Sequence, residues 1–179
     1  SGSIRNTTGT LNLTKIGAGT QTLAGASTYT GATTLNDGML KVNNATGSGT
    51  GGGSVAVNSG GALGGTGTVS GAVTVKAGGR LVPGNSVGQL VVGSLTLDTG
   101  SIEDFEFNAT PTNDTIVVTN VNGLTINGGG VNLYAEDTTT PWMTKGTYNL
   151  IGYSGTLGGS GGVCLSVLNP QSGYSYGFT

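Results

Sequence analysis

The sequence predicts an all-β protein, a right-handed parallel β-helix (β-solenoid) of roughly eight rungs. Two observations lead to this fold class. A short phrase recurs along the chain, and glycine, with 37 of the 179 residues, clusters between its copies. In each copy, alternating apolar residues precede one or two polar residues, a glycine and another apolar residue. The copies span residues 33–40, 55–63, 73–81, 95–102 and, more loosely, 124–131.

The strands and turns follow from this phrase. Its turn glycines are spaced 18 to 28 residues apart, which is typical of one coil of a β-solenoid. These glycines are Gly38, Gly60, Gly78, Gly100 and Gly128. Runs rich in Thr and Val predict strands at 10–15, 20–24, 31–35, 39–43, 54–58, 66–69, 72–76, 80–82, 89–92, 94–98, 102–107, 115–119, 123–127, 131–135 and 147–152. No helical periodicity is visible.

The small number of charged residues limits the kinds of partner that we expect the protein to bind. Only 6 basic and 8 acidic residues are present, so the chain lacks the basic clusters that nucleic acids and acidic membrane surfaces require. We therefore expect no nucleic-acid partner, and no apolar stretch predicts membrane insertion. Thr, Asn and Ser dominate the polar positions, which favours an extracellular protein. The expected partners are copies of the chain itself, or glycans and proteins of a cell surface or matrix.

The side chains offer little for catalysis. The chain has no histidine, which excludes Ser-His-Asp and Cys-His catalysis and histidine-ligated metal sites. Cys164 is the single cysteine, so an internal disulfide is impossible, and we expect it to be a small buried apolar residue. No enzymatic activity and no cofactor are predicted.

The carboxylates leave one enzymatic alternative open. On a strand, Asp104 and Glu106 point to the same side, about 7 Å apart, a separation that suits an acid–base pair acting on a carbohydrate. The other interpretation is that Phe105 and Phe107, with Glu103 on their face, fill the core while Asp104 and Glu106 stay in water.

Calcium is a further alternative in the same region. Asp114, Asn108 and Asn113 would add oxygen ligands to those carboxylates. However, the glycine-rich stretch at 64–69 lacks the aspartate of a calcium-binding glycine repeat.

The last part of the chain has a different composition. Seven of the ten aromatic residues lie after residue 130, and 136–141 reads as a loop. We divide the single domain into a stack at 1–157 and capping or interaction strands at 158–179. Tyr174, Tyr176 and Phe178 alternate with small residues, which predicts one face of a strand. This face either caps the last rung or binds a neighbouring subunit.

Residues 13–43 resemble the autotransporter-associated β-strand repeat, also called the passenger-associated transport repeat. The repeat starts with Lys-x-Gly-x-Gly-Thr-x-x-Leu, continues with Thr-Tyr-x-Gly-x-Thr and ends with x-x-Gly-x-Leu. The matching positions are Lys15, Gly17, Gly19, Thr20, Leu23, Gly25, Thr28, Tyr29, Gly31, Thr33, Gly38 and Leu40. A Pro-Gly-x-Ser-x-Gly turn at 83–88 and later phrases extend the resemblance to about residue 157.

The resemblance implies a right-handed β-helical passenger at the bacterial cell surface, used for adhesion, aggregation or display. We expect a piece of a longer or processed protein with a structural or adhesive role, self-associating end to end into filaments. A monomeric adhesin or display fragment that binds a host or glycan surface is the alternative. A carbohydrate-active enzyme is the minor one.

Overall fold

The computed structural model describes residues 2–109 and 112–179, and nearly all its regular structure is β-strand. A short 3-10 turn, Gly162–Cys164, accompanies the strands. The strands are β1 (Leu13–Lys15), β2 (Thr20–Leu23), β3 (Thr33–Leu35), β4 (Gly38–Val42), β5 (Val55–Val57), β6 (Gly61–Gly65), β7 (Thr68–Val75), β8 (Arg80–Pro83), β9 (Gln89–Leu97), β10 (Ile102–Phe107), β11 (Thr115–Val118), β12 (Leu124–Ile126), β13 (Gly129–Ala135), β14 (Ile151–Gly152), β15 (Gly158–Gly159) and β16 (Leu165–Val167).

Two parallel sheets contain these strands. One runs β1-β3-β5-β7-β9-β11-β14, with β12 beside β9 and β15 beside β12; the other runs β16-β13-β10-β8-β6-β4-β2. Neighbours in a sheet are not consecutive in the chain, so the chain passes from one sheet to the other and returns one level further on. This arrangement confirms the predicted parallel β-solenoid class. Each path has seven strands in the described residues, close to the roughly eight rungs expected. The right-handed coil stays a prediction.

Parallel register aligns apolar residues in columns through the stack. In the first sheet the column is Leu35, Val57, Val75, Leu97 and Ile126, all buried. Burying each such side chain contributes about 1.5–3 kcal/mol. The columns therefore make one continuous core.

The predicted turn glycines have the backbone conformation that the turns require. Gly38, Gly60, Gly78, Gly100 and Gly128 have φ of 64°, 87°, 74°, 85° and 154°. These angles lie in the region that side chains with a Cβ rarely adopt. The repeated phrase is therefore the turn that begins each new strand of the second sheet.

A second set of glycines allows the levels to approach closely. A Cβ on Gly53 would collide with the carbonyl oxygen of Gly31, and one on Gly71 with the carbonyl oxygen of Gly53. Gly31 and Gly93 are crowded in the same way, by Leu11 and Ser70. Each backbone at this corner thus lies directly against the backbone of the level before it.

Some strands differ from the prediction. β6 has the sequence Gly-Ala-Leu-Gly-Gly, which lies outside the predicted strands, yet all five residues are buried between β4 and β8. The pairs 66–69/72–76 and 89–92/94–98 are each one long strand, β7 and β9. The short strands β15 and β16 extend the sheets beyond residue 157.

The prediction of a strand at Tyr174–Phe178 is wrong. Residues 168–179 are irregular, and no strand pairs with them in the described structure. The rings of Tyr174 and Tyr176 still lie side by side, with centroids 6.4 Å apart, and Phe178 packs against the core. Strand alternation alone could not establish a strand here, because a strand also needs a hydrogen-bonded neighbour.

Gly71→Ala should destabilise the protein by about 1–3 kcal/mol, because the added methyl group has no space against Gly53. Gly52→Ala is the matched control. Gly52 is exposed, and a Cβ there meets no atom within 4 Å. Its change should stay within about 0.5 kcal/mol. Urea unfolding of both variants measures the difference, and equal losses would contradict the close-stacking account.

Candidate functional site

Lys15 connects the first two levels through its ammonium group. It precedes Leu35 in a core column, where its stem replaces an aliphatic side chain. Nζ donates hydrogen bonds to the carbonyl oxygens of Ile16 at 3.1 Å and Asp37 at 3.0 Å, and also to that of Gly17. One cation thus holds two successive turns together.

The other repeat positions also build the stack. Gly17 has φ of 74°. A Cβ on Gly38 would collide with the carbonyl oxygens of Gly17 and Gly19. Gly19 itself is open, and Thr20 is exposed. The motif glycines therefore shape two adjacent turns.

Apolar repeat positions lie in the core. Tyr29 is fully buried and its hydroxyl is 2.5 Å from that of Thr33. Burial raises the pKa of Tyr29, and the hydrogen bond with Thr33 opposes this in part. Leu23 and Leu40 are buried core residues, and Gly31 forms the tight corner. These residues of the repeat thus have structural roles.

Asp104 is not exposed to water, contrary to the expectation for this residue. It is only 6% exposed, forms an ion pair with Arg80, and accepts a 2.8 Å hydrogen bond from the Asn132 amide. The reason is the stack itself, since β8 and β13 lie on either side of β10 and bring those partners to it.

Glu103 occupies an unusual position in the core. Its predicted place on the face of Phe105 and Phe107 is confirmed, and it is 1% exposed. Neither carboxylate oxygen has a hydrogen-bond partner among the described residues. Burial raises the pKa of Glu103 to about 7, the nearby Ser101 hydroxyl opposes the shift, and the charge of Asp104 adds to it.

Asp114 holds the turn at residues 83–88. Its two carboxylate oxygens accept hydrogen bonds from the backbone amides of Gly88 and Glu106, both at 2.8 Å. Burial raises the pKa of Asp114 to about 7, although these two hydrogen bonds act in the opposite direction. Its carboxylate also lies close enough to Gly84 to exclude a side chain there. Asp114 is thus an anchor for the turn.

Glu136 fixes the same turn from the other side. It accepts hydrogen bonds from the Ser86 hydroxyl at 2.5 Å and the Val87 amide at 3.3 Å. These bonds lower the pKa of Glu136. Glu106 is half-buried, and burial is the main cause that raises its pKa.

The two carboxylates considered for acid–base chemistry, Asp104 and Glu106, have different neighbours. Asp104 is paired with Arg80, whereas Glu106 lies near Glu136 and Asp137. Within residues 2–109 and 112–179, no three Asp, Glu, His or Cys side chains are grouped in a way that could hold a metal ion. The core position of Glu103 was predicted from its alternation with two phenylalanines. Its lack of a hydrogen-bond partner in the described part of the chain and the role of Asp114 as a turn anchor were missed.

The two ends of the stack differ. At the first level, β1 pairs only with β3 and β2 only with β4 among the described strands. Leu13 N–H donates to the carbonyl oxygen of Ala32, so by strand alternation the amide and carbonyl of Thr14 point away from β3. Among the described residues, no further strand pairs with this side of β1.

In the later levels, aromatic side chains pack against the core. Phe107 stacks on Trp142 with centroids 5.6 Å apart and meets the edge of Tyr148 at 4.9 Å. Phe178 packs on the core, while Tyr174 donates to the carbonyl oxygen of Met143. Cys164 is half-buried rather than fully buried. Self-association through Tyr174, Tyr176 and Phe178 stays a prediction.

Comparison with known families agrees with this geometry. Residues 13–42 match the family described as Passenger-associated-transport-repeat. This match confirms the resemblance seen in the sequence and lies on β1 to β4, the first two levels. It indicates an autotransporter passenger-like surface protein. No curated protein matches the chain significantly. None of the described helical structure is long or apolar enough to span a membrane.

Asp114→Asn should destabilise the folded state by about 1–3 kcal/mol, because the amide has one acceptor oxygen and leaves one of two half-buried N–H groups without its charged acceptor. Asp98→Asn is the control, since Asp98 accepts only a long 3.3 Å bond from Asn127 and an asparagine oxygen can replace it. Chemical unfolding at neutral pH compares the two. An unchanged midpoint for Asp114→Asn would contradict the anchoring role.

Proposed function

We propose that this chain is a non-enzymatic structural β-solenoid of a bacterial surface protein. The observation that carries the proposal is the stacking of two parallel sheets through the described chain, with the matched repeat built in as the first two levels. Such a stack is a rigid scaffold whose length depends on the number of levels. The family match supports a location at the cell surface.

The positions of the carboxylates favour a structural role over catalysis. Asp104 is neutralised by Arg80, Asp114 binds two backbone amides, and Glu103 is buried without access to a substrate. Acid–base hydrolysis of a glycoside needs two carboxyl groups on either side of a cleft. A screen for release of reducing ends from surface polysaccharides tests whether the protein is an enzyme. Activity that Asp104→Asn abolishes would overturn the structural role.

Surface location has its own test. Antibodies against the folded chain should label intact cells of the source bacterium, and external protease should remove the signal. Labelling that requires permeabilised cells would contradict a surface role and leave the fold unaffected.

End-to-end association of copies is the finer proposal, and the outer edges of β1 and β2, which pair with no further strand among the described residues, favour it. An exposed row of backbone amides and carbonyls can pair with a strand of another molecule. Charge does not oppose this contact, because neither residues 16–36 nor residues 146–179 contain Asp, Glu, Lys or Arg. The contact joins the first level of one copy to the last level of the next, beside Tyr176 and Phe178.

Thr14→Pro should abolish this association, because proline removes the outward N–H of β1. Thr14→Ser keeps that N–H and is the matched control at the same exposed position. Sedimentation velocity over a wide concentration range should show growing assemblies for the wild type and the serine variant, and a monomer for the proline variant. Circular dichroism checks that each variant is folded.

Two results would contradict association through the first level. One is assembly of Thr14→Pro equal to that of the wild type. The other is a wild type that stays monomeric at every concentration, with short rods in electron micrographs. The second result would favour a monomeric adhesin or display fragment, for which binding of the folded monomer to glycan and matrix-protein arrays is the direct measurement.

A further inference from the structure

We propose that Glu103 is a pH-sensitive latch beneath the C-terminal cap, which we define as residues 158–179. The neutral carboxyl group lets the cap stay docked on the stack, and the ionised carboxylate promotes its release. This inference is independent of the surface role and of self-association.

The first argument is the place of Glu103 in its column. Parallel register aligns Leu40, Leu63, Leu81, Glu103, Val131 and Val167 through the second sheet. Glu103 thus lies where every other member of these six positions is aliphatic. A buried charge without a partner is strongly unfavourable, so the group is accommodated there as a neutral acid.

The second argument is what covers the carboxyl group. A Cβ on Gly129 would lie 2.8 Å from Ser101 Oγ, 2.9 Å from Glu103 Oε2 and 3.2 Å from Leu165 Cδ2. These atoms therefore surround one small space that the absence of a side chain at residue 129 leaves open. Leu165 belongs to β16 in the cap, and Gly129 is its direct partner in the sheet. Removing Leu165 would expose this space to water.

The third argument is that, in the part of the chain that the structure describes, no neighbouring positive charge compensates Glu103. Arg80 on β8 points to the outer face and pairs with Asp104, whose own negative charge disfavours ionisation of Glu103. Tyr134 is the titratable residue of β13, and the strands β9, β12 and β16 contain none. In the cap, Cys164 is the nearest titratable residue along the chain.

The sign of the effect follows from the two states of Glu103. Burial raises its pKa from 4.5 to about 7, so the docked state binds the proton more tightly than a hydrated state does. Docking is most stable below pH 4.5, weakens as the pH rises to about 7, and stays weak above that. The pKa difference sets an upper limit of about 300-fold on the shift in the opening equilibrium.

The Cys164 thiol reports on the cap directly. It is half-buried, next to Leu165, and is the single cysteine in the chain. We would measure its alkylation rate in the full wild-type chain and in Glu103→Gln at each pH. Their ratio cancels the ordinary increase in thiolate with pH, and it also cancels the titration of Asp114, which both proteins share.

The expected ratio of wild-type to Glu103→Gln rates rises at least tenfold between about pH 5 and pH 8. Glu103→Leu, which restores the aliphatic column, should behave like Glu103→Gln. Glu106→Gln, on the outward face of the same strand, should keep the wild-type dependence. Hydrogen exchange provides a second measurement: protection of the Leu168 amide, which donates to the carbonyl oxygen of Val131 at 2.8 Å, should fall with pH relative to that of Leu63 in the wild type alone.

A ratio that does not change with pH would overturn the latch, even if Glu103→Gln alters overall stability. A uniform fall in protection of the Leu63 and Leu168 amides would also overturn it, since that result means global unfolding rather than release of the cap. If Glu103→Gln fails to fold, the same comparison with Glu103→Leu decides the question.

Discussion

Close contact between the backbones of successive levels is the constraint on which the structure depends. Parallel hydrogen bonding fixes the distance between levels at about 4.8 Å. At the corner formed by Gly31, Gly53, Gly71 and Gly93, this distance leaves no room for a Cβ. The same spacing places equivalent residues above one another, so each column must be filled with side chains of compatible size and polarity. High glycine content and repeated Val and Leu are two consequences of this one condition.

The constraint also explains where the polar chemistry goes. Side chains that would be independent on a globular surface become neighbours in a stack, and most of them are used to join levels. Lys15 donates hydrogen bonds to carbonyl oxygens of two turns, and Asp104 contacts both Arg80 and Asn132. Asp114 accepts hydrogen bonds from two backbone amides and so stabilises a turn. Glu103 is different because its column supplies only aliphatic partners. A group that cannot be satisfied by its column is the natural place for a response to solution conditions.

A scaffold role is consistent with this use of side chains. The matched repeat occupies the first two levels, and its characteristic residues form turns, corners and core. The two ends of the described stack differ, since β1 and β2 have no further strand partner there, whereas Trp142 and Tyr148 pack on Phe107 in the later levels. Function at the surface then depends on how levels, copies or partners meet at these boundaries.

The sequence by itself determined the fold class, the turn glycines and the inward face of β10, because each of these is a local periodic pattern. Tertiary structure alone decided that Gly-Ala-Leu-Gly-Gly is the central strand β6, since its neighbours in the sheet override a local preference for turn. It also decided that Tyr174 and Tyr176 lie outside any strand, and that Asp104 is buried with Arg80. Those outcomes depend on which residues lie one level away in the stack. Such residues are some 20 positions apart in the sequence, and their exact separation depends on loop lengths that periodicity does not reveal.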